Sequence, residues 1–229
     1  MPPRRHHLRA RRAGLKADGA AKKKKDRAAV TRSVVLAGVG GQGTIMAANL
    51  LARALLIHGF DVKTSEVHGM AQRGGSVVSM VRFGESVASP LVPRGEAEAL
   101  VSTEMLEALR YIHFLSPGGR VICSRTRIDP LPVLQGAQEY PENAEELILG
   151  NAPDSIMVDA IEVAAESGSA RAANTVLLGI LSLSLPVTEA EWLAALEEVV
   201  PERVLEANRS AFFTGRAIES QAASGGGAR

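Results

Sequence analysis

Gly38, Gly40 and Gly43 stand at G-x-G-x-x-G spacing, with Gly41 as a fourth glycine and Gln42 beside it. Glycine lets a backbone come close to a ligand. A helix that opens just after such a turn has amide N–H groups with no internal acceptor. Those groups and the helix dipole favour an anion, so phosphate or carboxylate is the expected guest. A second polar cluster follows in Glu66, His68, Gln72, Arg73 and the flexible pair Gly74-Gly75. Arg73 can hold a phosphate or carboxylate through two parallel hydrogen bonds. His68 can take or give a proton near neutrality. Each residue also has a structural use. The glycines can serve tight strand–helix packing, His68 and Gln72 can cap backbone groups, and Arg73 can pair with Glu66.

The elements that must position these groups are legible around them. Val34, Val35 and Leu36 are an uninterrupted apolar, β-branched run, which predicts a buried strand. Ile45, Ala48, Leu51, Ala52, Leu55 and Leu56 recur at helical spacing, and Gly59 stops the helix. A strand runs from Asp61 to Val67, a polar loop from His68 to Gly75, and another strand from Ser76 to Phe83. A dinucleotide site wants an acid near the end of the second strand, roughly 20 residues past the turn. Asp61 and Glu66 bracket that place, which leaves a nicotinamide or flavin site open.

Further on, residues 97–102 read as a strand, and Thr103 caps a helix from about Glu104 to Phe114. Glu104 suits the dipole at that helix start. Arg120 to Ser124 is a strand, with Cys123 a buried structural thiol rather than a nucleophile. Residues 128–153 are a proline-rich excursion with one short helix near Asn143–Leu149. A strand at Ser155–Ala160, a helix at Ala160–Glu166 and an apolar segment at Arg171–Leu185 follow. The small residues Ala172, Ala173 and Gly179 suit close packing in the core or against a partner, and Asn174 can cap or bind. Two more helices run from Thr188 to Val199 and from Pro201 to near Arg216. This rhythm predicts an α/β fold, a Rossmann-like doubly wound mostly parallel sheet with a helical C-terminal part.

Composition narrows the classes. The 229 residues are 46% hydrophobic and 22% charged, with one Trp, two Tyr and five Phe. So few aromatics argue against a surface for stacking bases, and no nucleic-acid partner is expected. A single cysteine cannot hold an iron–sulfur cluster, which needs about four. No apolar run reaches the roughly 18 residues that would cross a bilayer, and the expected location is cytoplasmic. The net charge of +1 hides an asymmetry: residues 1–32 carry +10 and the remainder −9. Residues 1–31 are therefore expected to be a disordered basic tail, 32–218 the functional domain, and 219–229 a flexible tail.

Gly38-Val39-Gly40-Gly41-Gln42-Gly43, together with the string Ser65 to Ser76, resembles the beta subunit of indolepyruvate:ferredoxin oxidoreductase. More broadly it resembles the gamma domain of the pyruvate and 2-oxoacid:ferredoxin oxidoreductases. The resemblance continues through Glu104–Tyr111, Leu115–Gly119 and Ala172–Gly179. It implies a subunit that is inactive alone, paired with a larger alpha subunit carrying thiamine diphosphate, Mg2+ and [4Fe-4S] clusters. Together they would convert arylpyruvates, coenzyme A and oxidised ferredoxin to acyl-CoA, carbon dioxide and reduced ferredoxin. No cofactor and no metal is expected on this chain alone, which lacks a Gly-Asp-Gly thiamine motif. Gly38, Gly40, Gly41, Gln42, Gly43, Gln72, Arg73 and Gly74 are the expected binding positions for coenzyme A or the oxoacid. Glu66, His68 and Arg73 are the candidates for chemistry. Two rival readings use the same residues: a stand-alone NAD- or FAD-binding oxidoreductase and a non-catalytic assembly subunit.

Overall fold

β1 (Arg32–Val39) is buried along nearly its whole length in the computed structural model, which describes residues 31–68 and 74–225. Its side chains alternate between two cores: Val34 and Leu36 face one, Val35 and Ala37 the other. A strand covered on both faces has no polar side, which is why its sequence is a continuous apolar run.

The sheet has six strands: β1, β2 (Asp61–His68), β3 (Ser76–Gly84), β4 (Ala97–Ser102), β5 (Leu115–Ser124) and β6 (Ile156–Val158). Their order is β2-β3-β1-β4-β5-β6. β1, β4, β5 and β6 run parallel. β3 lies antiparallel between β1 and β2. The sheet is thus mostly parallel, as expected, with an antiparallel hairpin on one edge. The connection from His68 to Ser76 is too short for a parallel crossover, which takes a dozen or more residues.

Eight helices flank the sheet among the described residues: α1 (Thr44–Ile57), α2 (Met105–Tyr111), α3 (Leu131–Leu134), α4 (Ala144–Asn151), α5 (Ala160–Glu166), α6 (Ala173–Ser182), α7 (Glu189–Val199) and α8 (Glu202–Gly225). α1, α6, α7 and α8 build the larger core, with Leu51, Leu177, Trp192 and Phe212 buried in it. α2 and α4 cover the other face through Ala108 and Ile148, against Leu100 and Cys123. Burial pushes the Cys123 thiol far above its usual range, which keeps it inert.

The small residues of α6 serve the core. A Cβ on Gly179 would lie 2.2 Å from the Phe212 carbonyl oxygen, and one on Gly215 would lie 2.1 Å from that of Val176. α6 and α8 therefore pack backbone to backbone. Some boundaries differ from those read in sequence. The cap of α2 is Glu104, whose carboxylate accepts from the Glu107 amide at 2.8 Å, rather than Thr103. α8 runs past Arg216 to Gly225, so the segment from 219 expected as tail is helical up to that point. The 128–143 excursion is tied down by Tyr140, whose hydroxyl donates to buried Glu104 at 2.6 Å. The basic segment 1–30 lies outside the described residues. No helix among the described residues is long and apolar enough to cross a membrane.

Candidate functional site

The glycine turn joins the C-terminal end of β1 to α1 in the middle of the sheet. Gly43 is the N-cap of α1, with φ 80° and no side-chain cap. Among the described residues the amides of Gly41, Gly43, Thr44, Ile45 and Met46 have no hydrogen-bond acceptor. Five unsatisfied donors at one turn, with the positive end of a 14-residue helix behind them, form an anion-seeking surface.

The turn is held rigidly from within. The Val39 amide and the Thr103 hydroxyl donate to Gln42 Oε1 at 2.8 and 2.6 Å. Gln42 Nε2 donates to the Thr103 carbonyl at 3.3 Å. The Gln42 side chain is thus a bolt between the turn and the end of β4, with both amide atoms spent on protein. Gly38 leaves room for that bolt: a Cβ there would meet Thr103 Oγ1 at 2.1 Å and Thr44 Oγ1 at 2.6 Å. From α6, Asn174 Nδ2 donates to the Gln42 carbonyl at 2.7 Å.

Two clefts share the turn as a common wall. One, of about 410 Å³, is lined by Val39, Gly40, Gly41, Gly43, Thr44, Ile45 and Val77. Its walls are backbone amides and apolar side chains. The other, of about 350 Å³, lies at the C-terminal ends of β4 and β5, between Thr103, Ser124, Ile161, Arg171 and Asn174. Arg171 has no ion-pair partner among the described residues. It gives this cleft a cation facing the same turn. At Gly41, φ is 99° and a Cβ would meet nothing within 4 Å, so the turn is open to a ligand there.

The second polar segment meets the turn through its backbone. The Gly40 amide donates to the Gly75 carbonyl at 2.7 Å, and the Gly74 amide donates to the Gly40 carbonyl at 3.2 Å. The structure therefore brings together Gly38, Gly40, Gly41, Gln42, Gly43 and Gly74. Gln72, Arg73 and the His68 side chain lie outside the described residues. Glu66 is exposed and pairs with Ser79 in the hairpin, so β3 separates it from β1. Asp61 pairs with Gly84 at the opposite end of the sheet, and its carboxylate accepts from the Val87 amide at 2.7 Å. Neither acid stands beside the glycine turn, which removes the ribose partner that a nicotinamide or flavin site requires.

The sequence resembles known proteins over the domain that builds this turn. Residues 33–218 match the family model described as pyruvate ferredoxin/flavodoxin oxidoreductase. The chain belongs to that family. Among its relatives, the indolepyruvate oxidoreductase subunit IorB of Thermococcus kodakarensis is 39% identical over 188 residues, covering 80% of this chain and 93% of that protein. The gamma subunit of a keto/oxoacid ferredoxin oxidoreductase from Geobacter sulfurreducens shares the fold. It has TM-score 0.62 and 24% identity, over 83% of this chain and 99% of that one. A 2-oxoglutarate:ferredoxin oxidoreductase from Magnetococcus marinus, solved with 2-oxoglutarate, coenzyme A and succinyl-CoA bound, matches with TM-score 0.61 and 22% identity. That match covers 83% of this chain and 31% of that one.

Membership in the pyruvate ferredoxin/flavodoxin oxidoreductase family makes the chain an oxidoreductase subunit and gives no support to the stand-alone nicotinamide enzyme. Two residues of the site escaped the sequence reading. Arg171 opens an apolar run, and nothing nearby marks it as a ligand contact. Thr103 reads as a helix cap, yet it is the fixed point to which Gln42 is bolted.

Proposed function

We propose that this chain is the beta subunit of an indolepyruvate, or more broadly arylpyruvate, ferredoxin oxidoreductase. It works with a larger alpha subunit, and ferredoxin takes the two electrons. The reaction cleaves the bond between the carboxylate and the 2-oxo carbon and releases carbon dioxide. The remaining acyl group is oxidised and joins the coenzyme A sulfur. Thiamine diphosphate, Mg2+ and [4Fe-4S] clusters supply the carbanion sink and the electron path. The residues here do not fit those groups. The chain has one cysteine, which is buried, and the described residues include no cluster of three His, Cys, Asp or Glu able to hold a metal ion. The cofactors belong to the larger subunit.

What this chain supplies is a binding surface for the anionic part of coenzyme A. The observation that carries this reading is the set of five unsatisfied amides at the glycine turn, faced by Arg171. A phosphate satisfies such donors, and the cation of Arg171 adds to their attraction. The relative with coenzyme A bound belongs to this fold, which favours the same ligand here.

A pair of variants at Gly41 tests the turn. Asn and Asp are the non-glycine residues least strained at positive φ, and they differ only in charge. In the assembled complex, Gly41→Asp should raise the Kd for coenzyme A about tenfold over Gly41→Asn, equivalent to about 1.4 kcal/mol. Equal affinities would overturn the assignment of an anion to this turn.

A further inference from the structure

We propose that Asn174 is a positioning residue: it orients the Gln42–Gly43 peptide so that the Gly43 N–H faces the bound anion. The inference rests on the reading of the turn as an anion site and deepens it. Asn174 is only 6% exposed and sits in the first turn of α6. Its amide nitrogen donates to the Gln42 carbonyl at 2.7 Å across 132 positions of sequence.

The peptide geometry does the rest. No peptide bond in the described chain is cis, and in a planar trans peptide the C=O and N–H point in opposite directions. With the Gln42 carbonyl turned towards α6, the Gly43 N–H is turned away from it. Gly43 borders both clefts, and its N–H has no acceptor among the described residues, so it is free to meet a ligand at the turn.

This orientation needs holding. Glycine populates both signs of φ with little cost, so the plane of the Gln42–Gly43 peptide is free to flip about Gly43. A flip would replace a donor with a carbonyl oxygen, and a carbonyl oxygen repels an anion. The bolt between Gln42 and Thr103 fixes the Gln42 side chain but leaves the peptide plane open. Only the Asn174 bond defines that plane among the described residues. Gly43 and Asn174 are matched to one another as well, since a Cβ at position 43 would lie 3.0 Å from Asn174 Nδ2.

The test uses the assembled complex with three readouts: the Kd for coenzyme A, the KM for the oxoacid, and the melting temperature. Asn174→Asp keeps the shape and sets a carboxylate against the carbonyl, which favours the flipped peptide. Asn174→Ala removes the donor and leaves the peptide unbiased. The expected order of coenzyme A affinity is wild type, then Ala, then Asp. Asp should be weakened at least tenfold, while the oxoacid KM stays within twofold. A coenzyme A Kd within twofold of wild type in assembled Asn174→Asp would overturn the proposal. If that variant does not assemble, the same criterion applied to Asn174→Ala decides it. A role in packing alone would lower the melting temperature and leave the Kd unmoved, which also overturns it. The Gly41 pair separates the two levels. If Gly41→Asp and Gly41→Asn bind alike, the anion assignment falls and this proposal with it. If they differ while the Asn174 variants bind as wild type, only the role of Asn174 falls.

Discussion

Gly40 and Gly75 are joined by a backbone hydrogen bond of 2.7 Å, and Gly74 returns one to Gly40 at 3.2 Å. Two segments more than 30 positions apart therefore share one small ladder at the mouth of the site. The end of the β2–β3 loop is thereby fixed against the glycine turn. That loop carries Arg73, one position before Gly74.

The first prediction follows from this coupling. Arg73→Ala should raise the apparent constant for coenzyme A or the oxoacid by about tenfold, the scale of a lost charge-assisted pair. Subunit assembly should remain intact, because the ladder is made of backbone. Steady-state kinetics of the purified complex checks it, and unchanged constants would remove Arg73 from the site.

A second prediction concerns the helix pair on which Asn174 rides. Gly215→Ala places a Cβ 2.1 Å from the Val176 carbonyl oxygen, so α6 and α8 must separate. Overpacking of this kind costs about 1–3 kcal/mol, and at this chain length each kcal/mol lowers the melting temperature by roughly 2–4 °C. Gly150→Ala in α4 is the control. Nothing lies within 4 Å of its Cβ, so it should be neutral or stabilising by about 0.4–1 kcal/mol.

The third prediction is a pH dependence. Glu107 is buried on the wall of a cavity of about 270 Å³, next to Gly74, Gly75 and Ser76. Burial pushes its carboxyl above the usual range, while the Ser76 hydroxyl, donating to it, and the Arg110 guanidinium pull it partly back. The fold therefore favours the protonated acid more than the unfolded chain does. Its contribution to stability is full below the unfolded value and is lost as pH rises through the folded value. Glu107→Gln should melt higher than wild type at neutral pH, and the gap should close as pH falls through the carboxylate range. A gap that stays constant with pH would show that the charge of Glu107 is not what costs stability.

The strands and helices around the turn were readable because burial leaves a pattern. β1 is apolar from Val34 to Val39 since both its faces are covered, and α1 shows its buried stripe at helical spacing. The direction of β3 was not readable, because an alternating strand carries no sign of whether its neighbour runs parallel. Only the short connection from His68 to Ser76 hints at a hairpin. Gln42 reads as a ligand contact because it sits within the glycines. Its side chain in fact turns inward to Thr103, 61 positions away. Asn174 reads as a residue that can cap or bind, without revealing that its partner is the Gln42 carbonyl, 132 positions away. Such links between distant segments exist only once the fold has formed. α8 continues past Arg216 because no glycine or proline stands between Arg216 and Gly225.

The central claim is that this chain completes a heteromeric arylpyruvate oxidoreductase. Its most direct test is anoxic co-purification from the native host with a tag on this chain, followed by assay. The account predicts a large brown partner containing thiamine diphosphate and iron–sulfur clusters, and indolepyruvate-dependent, coenzyme A-dependent reduction of ferredoxin or a dye. A colourless chain that purifies alone and binds NAD would contradict it.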